Sequence, residues 1–143
     1  MLLNDVRTII NDNHISIYID NTIFSTVVIG DNTFAQLCML LDNEPDISID
    51  LITDNGHLTI SNTGSFVKME TVNSDDVALK RTILSRYEFT SMLESLVNES
   101  RRIGDFPYKY IFIVKVEAEL EKYKKTAEFS EFEKYNFIKK TKK

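Results

Sequence analysis

Apolar residues along the chain recur in some stretches every three or four positions and in others every second, and the changes of period divide it into elements. Leu2, Val6, Ile9 and Ile10 sit at helical spacing and predict a short helix over residues 2–11, ended by Asn11, Asp12 and Asn13. In HISIYID, Ile15, Ile17 and Ile19 alternate, and Asp20-Asn21 predicts a tight turn into TIFSTVVI, so residues 14–29 read as an antiparallel hairpin. The helical period returns with Phe34, Leu37, Cys38, Leu40 and Leu41, in an element capped by Asp31 or Asn32 and stopped by Asn43 and Pro45. DISIDLIT, HLTIS and FVKMETV then alternate in turn. Asp54-Asn55-Gly56 and Asn62-Thr63-Gly64 separate them, which predicts a three-stranded meander.

After the polar break NSDD, the segment VALKRTILSRYEF reads as a strand. Thr90 is the expected cap of a second helix with Met92, Leu93, Leu96, Val97 and Ile103 inward, stopped by Gly104-Asp105-Phe106-Pro107. YKYIFIVKV has the β-branched and aromatic content of a strand, placed at residues 108–116, although Phe112, Val116, Leu120 and Tyr123 also keep helical spacing. From Glu117 onward, Glu121 with Lys124 and Lys125, and Glu131 with Lys134, favour helix. A faint echo at a shift of 56 residues sets Thr26-Val27-Val28 on Thr82-Ile83-Leu84 and Leu37 on Leu93. The expected architecture is α+β, with antiparallel meanders and amphipathic helices. One domain would span residues 1–116, comprising an acidic body (1–73) and a strand-helix-strand unit (78–116), followed by a charged helical tail, 117–143. A strand at 108–116 carrying Ile111, Phe112, Ile113 and Val114 would have an open edge, and covering it between subunits makes a homo-oligomer expected.

Charge changes this picture, because it is unevenly spread. Residues 1–73 hold only Arg7 and Lys68 against ten acids, a net of -8, whereas residues 74–143 hold fifteen bases against twelve acids, a net of +3. Such separation points to head-to-tail association or to partners of opposite sign. The candidate nucleic-acid contacts are Lys80, Arg81, Arg86, Arg101, Arg102, Lys139 and Lys140. The candidate acidic face for a protein partner is Asp31, Asp42, Glu44, Asp46, Asp50 and Asp54.

Candidate chemistry is sparse. His14 and His57 each open a strand after a polar turn, without a Cys, Asp or Glu at metal-ligand spacing. Asp42, Glu44, Asp46 and Asp50 crowd one loop and strand, but lack the glycine and final bidentate Glu of an EF-hand loop. There is no glycine-rich phosphate cradle and no Gly-x-Ser-x-Gly elbow, so neither an enzyme nor a cofactor is expected. The single cysteine, Cys38, lies on an apolar helix stripe and reads as a buried thiol, so no intrachain disulfide forms and a cytoplasmic location is expected. No apolar run approaches the roughly 20 residues of a membrane span, and the N-terminus lacks the pattern of a secretory signal. The tail AEFSEFEKYNFIKKTKK interleaves Phe129, Phe132, Tyr135 and Phe137 with lysines. Base stacking or an aromatic helix stripe would each use that pattern, and the helical spacing favours the stripe.

One stretch resembles a known family. Phe34, Leu37, Leu41, Asp46, Ile47, Ile49, Gly56, Leu58 and Ile60 follow a strand-helix-meander pattern similar to the half-domain of sliding-clamp processivity factors of DNA polymerases, and residues 2–29 suit the preceding part. The resemblance implies a clamp-like fold over about residues 2–73 and a non-catalytic accessory role in DNA replication, with self-association and recruitment of partners. Two features depart from it. Clamp helices line a positive channel, as the phosphate charge demands, yet the helices expected at 2–11 and 31–42 offer only Arg7. A clamp subunit also has at least two full domains. The alternative is an acidic protein-binding module, such as a phage or mobile-element inhibitor that covers a basic surface of a host nucleic-acid-binding enzyme.

Overall fold

Alternation, not helical spacing, governs the first element. Val6, Thr8 and Ile10 are buried while Arg7, Ile9 and Asn11 are exposed, so Val6–Asn11 is a strand, β1, and the helix expected at 2–11 does not form over the described residues. Thr8 concealed the period of two: it is polar but points inward, where its hydroxyl bonds Ser95 Oγ at 3.2 Å. The computed structural model describes residues 4–41, 46–104 and 111–123.

Within these residues seven strands form one antiparallel sheet ordered as in the sequence. After β1 come β2 (His14–Ile19), β3 (Thr22–Val28), β4 (Ser48–Thr53), β5 (Gly56–Asn62), β6 (Phe66–Asn73) and β7 (Ala78–Ser85). The β2–β3 turn is made by Asp20 and Asn21, both at positive φ (51° and 68°), the conformation a two-residue hairpin with right-handed twist needs. Gly56 opens β5 where an added Cβ would collide with the carbonyl oxygen of Val72 on β6, so a side chain is excluded there. The meander expected at residues 46–72 is present, with Leu58 paired to Leu51 on one side and to Thr71 on the other. By contrast, β3 meets β4 at a single register pair, Val27 with Thr53. The sheet is therefore two runs, β1–β3 and β4–β7, joined at one narrow seam.

Among the described residues three helices cover one face: α1 (Thr33–Met39), α2 (Arg86–Ile103) and α3 (residues 111–123). Asn32 holds the N-cap position of α1, but its side chain makes no capping bond; Thr33 Oγ1 accepts from Gly30 N–H instead, at 2.8 Å. The start of α2 corrects the expected cap at Thr90. Ser85 and Glu88 form a reciprocal capping box, and Thr90 lies inside the helix, its hydroxyl donating to the Arg86 carbonyl at 2.8 Å. The strand expected at 108–116 is also corrected, since residues 111–116 belong to α3 and 108–110 lie outside the described residues. Here the helical spacing of Phe112, Val116 and Leu120 prevails over β-branched content, because it turns one apolar stripe toward the core. The open edge from which self-association was expected is thus not formed by those residues.

The core lies between sheet and helices. Ile15, Ile17, Val27, Leu51, Leu58, Ile60, Val67, Met69 and Leu84 come from the strands, and Phe34, Leu37, Leu40, Phe89, Leu93, Leu96 and Phe112 from the helical side. Phe34 and Phe112 meet edge to face with centroids 5.2 Å apart, which ties α3 to α1. The 56-residue echo is matched in burial at Leu37 and Leu93 but not in the strands, where Val27 is buried and Ile83 is 58% exposed. The fold class is α+β. Leu40 is fully buried, so Leu40→Ala is expected to cost about 2–5 kcal/mol. A lowered urea midpoint with an unchanged slope would show this; an unchanged midpoint would mean Leu40 is not in the core.

Candidate binding surfaces

The two edges of the sheet are finished differently, and α2 is the cause. Side chains at 88, 95, 99 and 102, spaced by seven, four and three, form one stripe of this helix. That stripe runs along the outer edge of β1 and meets its open backbone groups. Asn4 N–H donates to Glu88 Oε2 at 2.7 Å, Thr8 N–H to Ser95 Oγ at 2.9 Å, and Ile10 N–H to Glu99 Oε1 at 3.0 Å. Returning bonds reach the carbonyls of Thr8, from Ser95 Oγ at 3.3 Å, and of Ile10, from Arg102 at 3.0 Å. Glu88 does two jobs, because its other oxygen accepts from Ser85 N–H in the capping box at 2.8 Å. A helix thereby supplies what a further strand would, and β1 cannot recruit one.

Both carboxylates in this seal are shifted. Burial pushes the Glu88 pKa up, but hydrogen bonds from Ser85 and Asn4 outweigh it and hold the carboxyl below the ordinary glutamate value. Glu99 is lowered chiefly by its hydrogen bond with Arg102, against burial, with help from Ile10 N–H. Arg102 is raised by the same pair.

Of the basic side chains proposed from sequence, three are committed to internal bonds. Arg86 opens α2 and donates to Asn62 Oδ1 at 2.6 Å and to the Leu40 carbonyl at 3.2 Å; Asn62 Nδ2 donates to that same carbonyl at 3.2 Å. The end of α1, the end of β5 and the start of α2 are fastened at this point. Arg101 pairs with Glu117 of α3, and Arg102 with Glu99. Lys80 and Arg81 stand together on β7. Lys80 reaches the Ile23 carbonyl at 3.4 Å, and Arg81 lies 3.9 Å from Glu70. Lys139 and Lys140 lie outside the described residues. None of the internal partners Asn62, Leu40, Ile10 and Glu117 is near its arginine in sequence, so these commitments were not legible there. Ser85 and Glu88 were: SRYE carries the capping-box spacing.

The described acidic candidates do not gather at one point. Asp31 and Asp50 come together on a cavity of about 270 Å³ beside the start of α1, which Gln36 also lines, and Asp50 accepts from Thr59 Oγ1 at 2.8 Å. Asp46 is exposed at positive φ, and Asp54 sits in the β4–β5 turn, 3.5 Å from His14 Nε2. Asp42 and Glu44 lie outside the described residues.

Where β3 parts from β4, a gap opens toward β7. It holds two adjoining cavities of about 300 and 430 Å³ that share Phe24 and Lys80; Asp54 and Leu79 line the first, Arg81 and Thr82 the second. Among the described residues no group of three or more His, Cys, Asp or Glu could hold a metal ion, and no helix is long and apolar enough to cross a membrane. Cys38 is buried. Comparison with known protein families, with curated proteins and with solved structures returned no match.

The lowered carboxyls make stability depend on pH with a defined sign. A carboxyl whose folded pKa lies below its unfolded value stabilises fully above the unfolded value, about 4.3 for glutamate, and loses that contribution as pH falls through the folded pKa. Urea midpoints of the wild type should therefore be level above about pH 5 and fall below it. Glu88→Gln and Glu99→Gln should each flatten the fall. An acid slope as steep in the double variant as in the wild type would place the titration elsewhere. Ser95→Ala, which strands the Thr8 N–H, should cost about 1–3 kcal/mol at neutral pH.

Proposed function

We propose that the protein is a non-catalytic binding module whose acidic side covers a basic, nucleic-acid-binding surface of a partner protein, as an inhibitor carried by a phage or mobile element would. One observation carries this reading: among the described residues acidic side chains are displayed, while Arg86, Arg101 and Arg102 are engaged within the protein. Asp12, Asp20, Asp31, Asp46, Asp50 and Asp54 are exposed, and Asp12, Asp20 and Asp46 stand on turns at positive φ. In the same half of the chain the bases are Arg7, which pairs with Asp5 at 2.8 Å, and Lys68. Arg86, Arg101 and Arg102, which would otherwise offset this field, are turned to internal carbonyl, amide and carboxylate partners. Complementary fields of this kind raise association rates and select the partner.

The clamp-like reading, a self-associating accessory factor on DNA, has less support. Among the described basic candidates it retains Lys80 and Arg81, and a phosphate backbone approaching the rest of the surface would meet carboxylates.

Two measurements distinguish the readings. Immobilised protein incubated with an extract of its native host should retain a basic protein, lose it as salt rises from about 0.05 to 0.5 M, and lose it in the triple variant Asp31→Asn, Asp50→Asn, Asp54→Asn. A duplex-DNA mobility shift should show no complex at about 0.1 M salt. A salt-dependent DNA complex that Lys80→Ala with Arg81→Ala removes, together with retention of the same proteins by the triple variant, would overturn the proposal in favour of the DNA role.

A further inference from the structure

Where β1 is sealed, β7 ends the sheet with no described strand beyond it. Seven of its eight residues are wholly or half exposed, and only Leu84 is buried. The direction of its backbone groups follows from two bonds. Lys80 N–H points to β6, donating to Thr71 Oγ1 at 3.1 Å, whereas Ser85 N–H turns away from β6 to Glu88 Oε1 at 2.8 Å. Groups alternate along an antiparallel strand, so the N–H and C=O of Arg81 and Ile83 face outward from the sheet edge. These are the pairing groups an added strand would use.

The side chains around them define what that strand would carry. Ile83, 58% exposed, follows Arg81 on the outer face, Leu79, 60% exposed, precedes it at a bulge in the strand, and Lys80 reaches toward β3. β7 carries no carboxylate of its own, and Glu70, 3.9 Å from the Arg81 Nε, compensates only weakly. We propose that β7 is an acceptor edge for an extended acidic segment of a partner protein, which adds to the sheet as a further strand. On its outer face the segment would carry an acidic and an apolar residue at alternate positions, opposite Arg81 and Ile83, with a further apolar residue near Leu79. A second acid on its other face, opposite Thr82 in an antiparallel register, would reach Lys80 on the diagonal.

Charge selects this occupant over a second copy of the chain. Two β7 strands related by a two-fold axis through Arg81 would set Arg81 opposite itself, and an axis through Thr82 would set the two Arg81 side chains on the diagonal. Like charges so placed oppose pairing, whereas opposite charges support it. Strand addition of this kind takes affinity from the main chain and specificity from alternate side chains. The inference concerns a different surface from the acidic side and does not depend on it.

The blocked peptide SIEETIS, which carries this pattern, and its counterpart SIKKTIS provide the test, with binding followed by fluorescence anisotropy and by amide exchange at Arg81 and Ile83. SIEETIS is expected to bind about tenfold more tightly, the effect of reversing two cross-strand charge pairs, and to slow exchange at both amides. Arg81→Glu, which reverses one pair and leaves the other, should abolish the preference. The wild-type comparison decides by itself should that variant not fold. Equal affinity for the two peptides, or binding that leaves both amides unprotected, would overturn the proposal. So would protection of those amides in the free protein that deepens with protein concentration, because the occupant would then be a second copy.

Discussion

A row of side chains on one helix, Glu88, Ser95, Glu99 and Arg102, takes the place of a neighbouring strand along β1, and the rest of the molecule is arranged around that contact. A meander of seven strands has two edges, each a template for unwanted pairing. Having left β7, the chain returns across the face of the sheet as α2 and lies along β1, so the last strand and the first are linked by one rigid element. The capping box at Ser85 fixes where this helix begins, and the same Glu88 that closes the box reaches Asn4. Helix initiation and edge sealing are thus coupled through one carboxylate, held ionised by its donors against the cost of burial.

Arg86 extends this logic to the other helices. Its bonds to the Leu40 carbonyl and to Asn62 join the end of α1 to β5 and to the start of α2, and Arg101 joins α2 to α3 through Glu117. These arginines therefore fasten elements of the fold to one another. Among the described residues acids outnumber bases, and Lys80 with Arg81 on β7 form a local basic pair. An unequal finish of the two sheet edges and an unequal use of the charges have the same origin in α2.

Much of this fold was legible where local signals act alone. The Asp20-Asn21 turn, the alternation around Gly56 and the stripe from Phe34 to Leu41 each specify an element without reference to distant residues. β1 was hidden because its inward set includes Thr8, whose partner Ser95 is 87 residues away. α3 was hidden because Ile111, Ile113 and Val114 favour strands, and the decision for helix rests on Phe112 and Val116 finding the core. The candidate basic site was legible as composition and misleading as geometry, since Asn62, Leu40, Glu117 and Ile10, which engage Arg86, Arg101 and Arg102, are distant from them in sequence.

The account stands on the claim that α2 closes one edge of the sheet and leaves the other open. Residue-resolved amide exchange of the free protein at neutral pH tests it most directly. The Thr8 and Ile10 amides should exchange only through global unfolding, with protection equal to that of core amides such as Leu58, while Arg81 and Ile83 should exchange close to the rate of an unstructured chain. Rapid exchange at Thr8 and Ile10, or protection at all four positions alike, would contradict the claim.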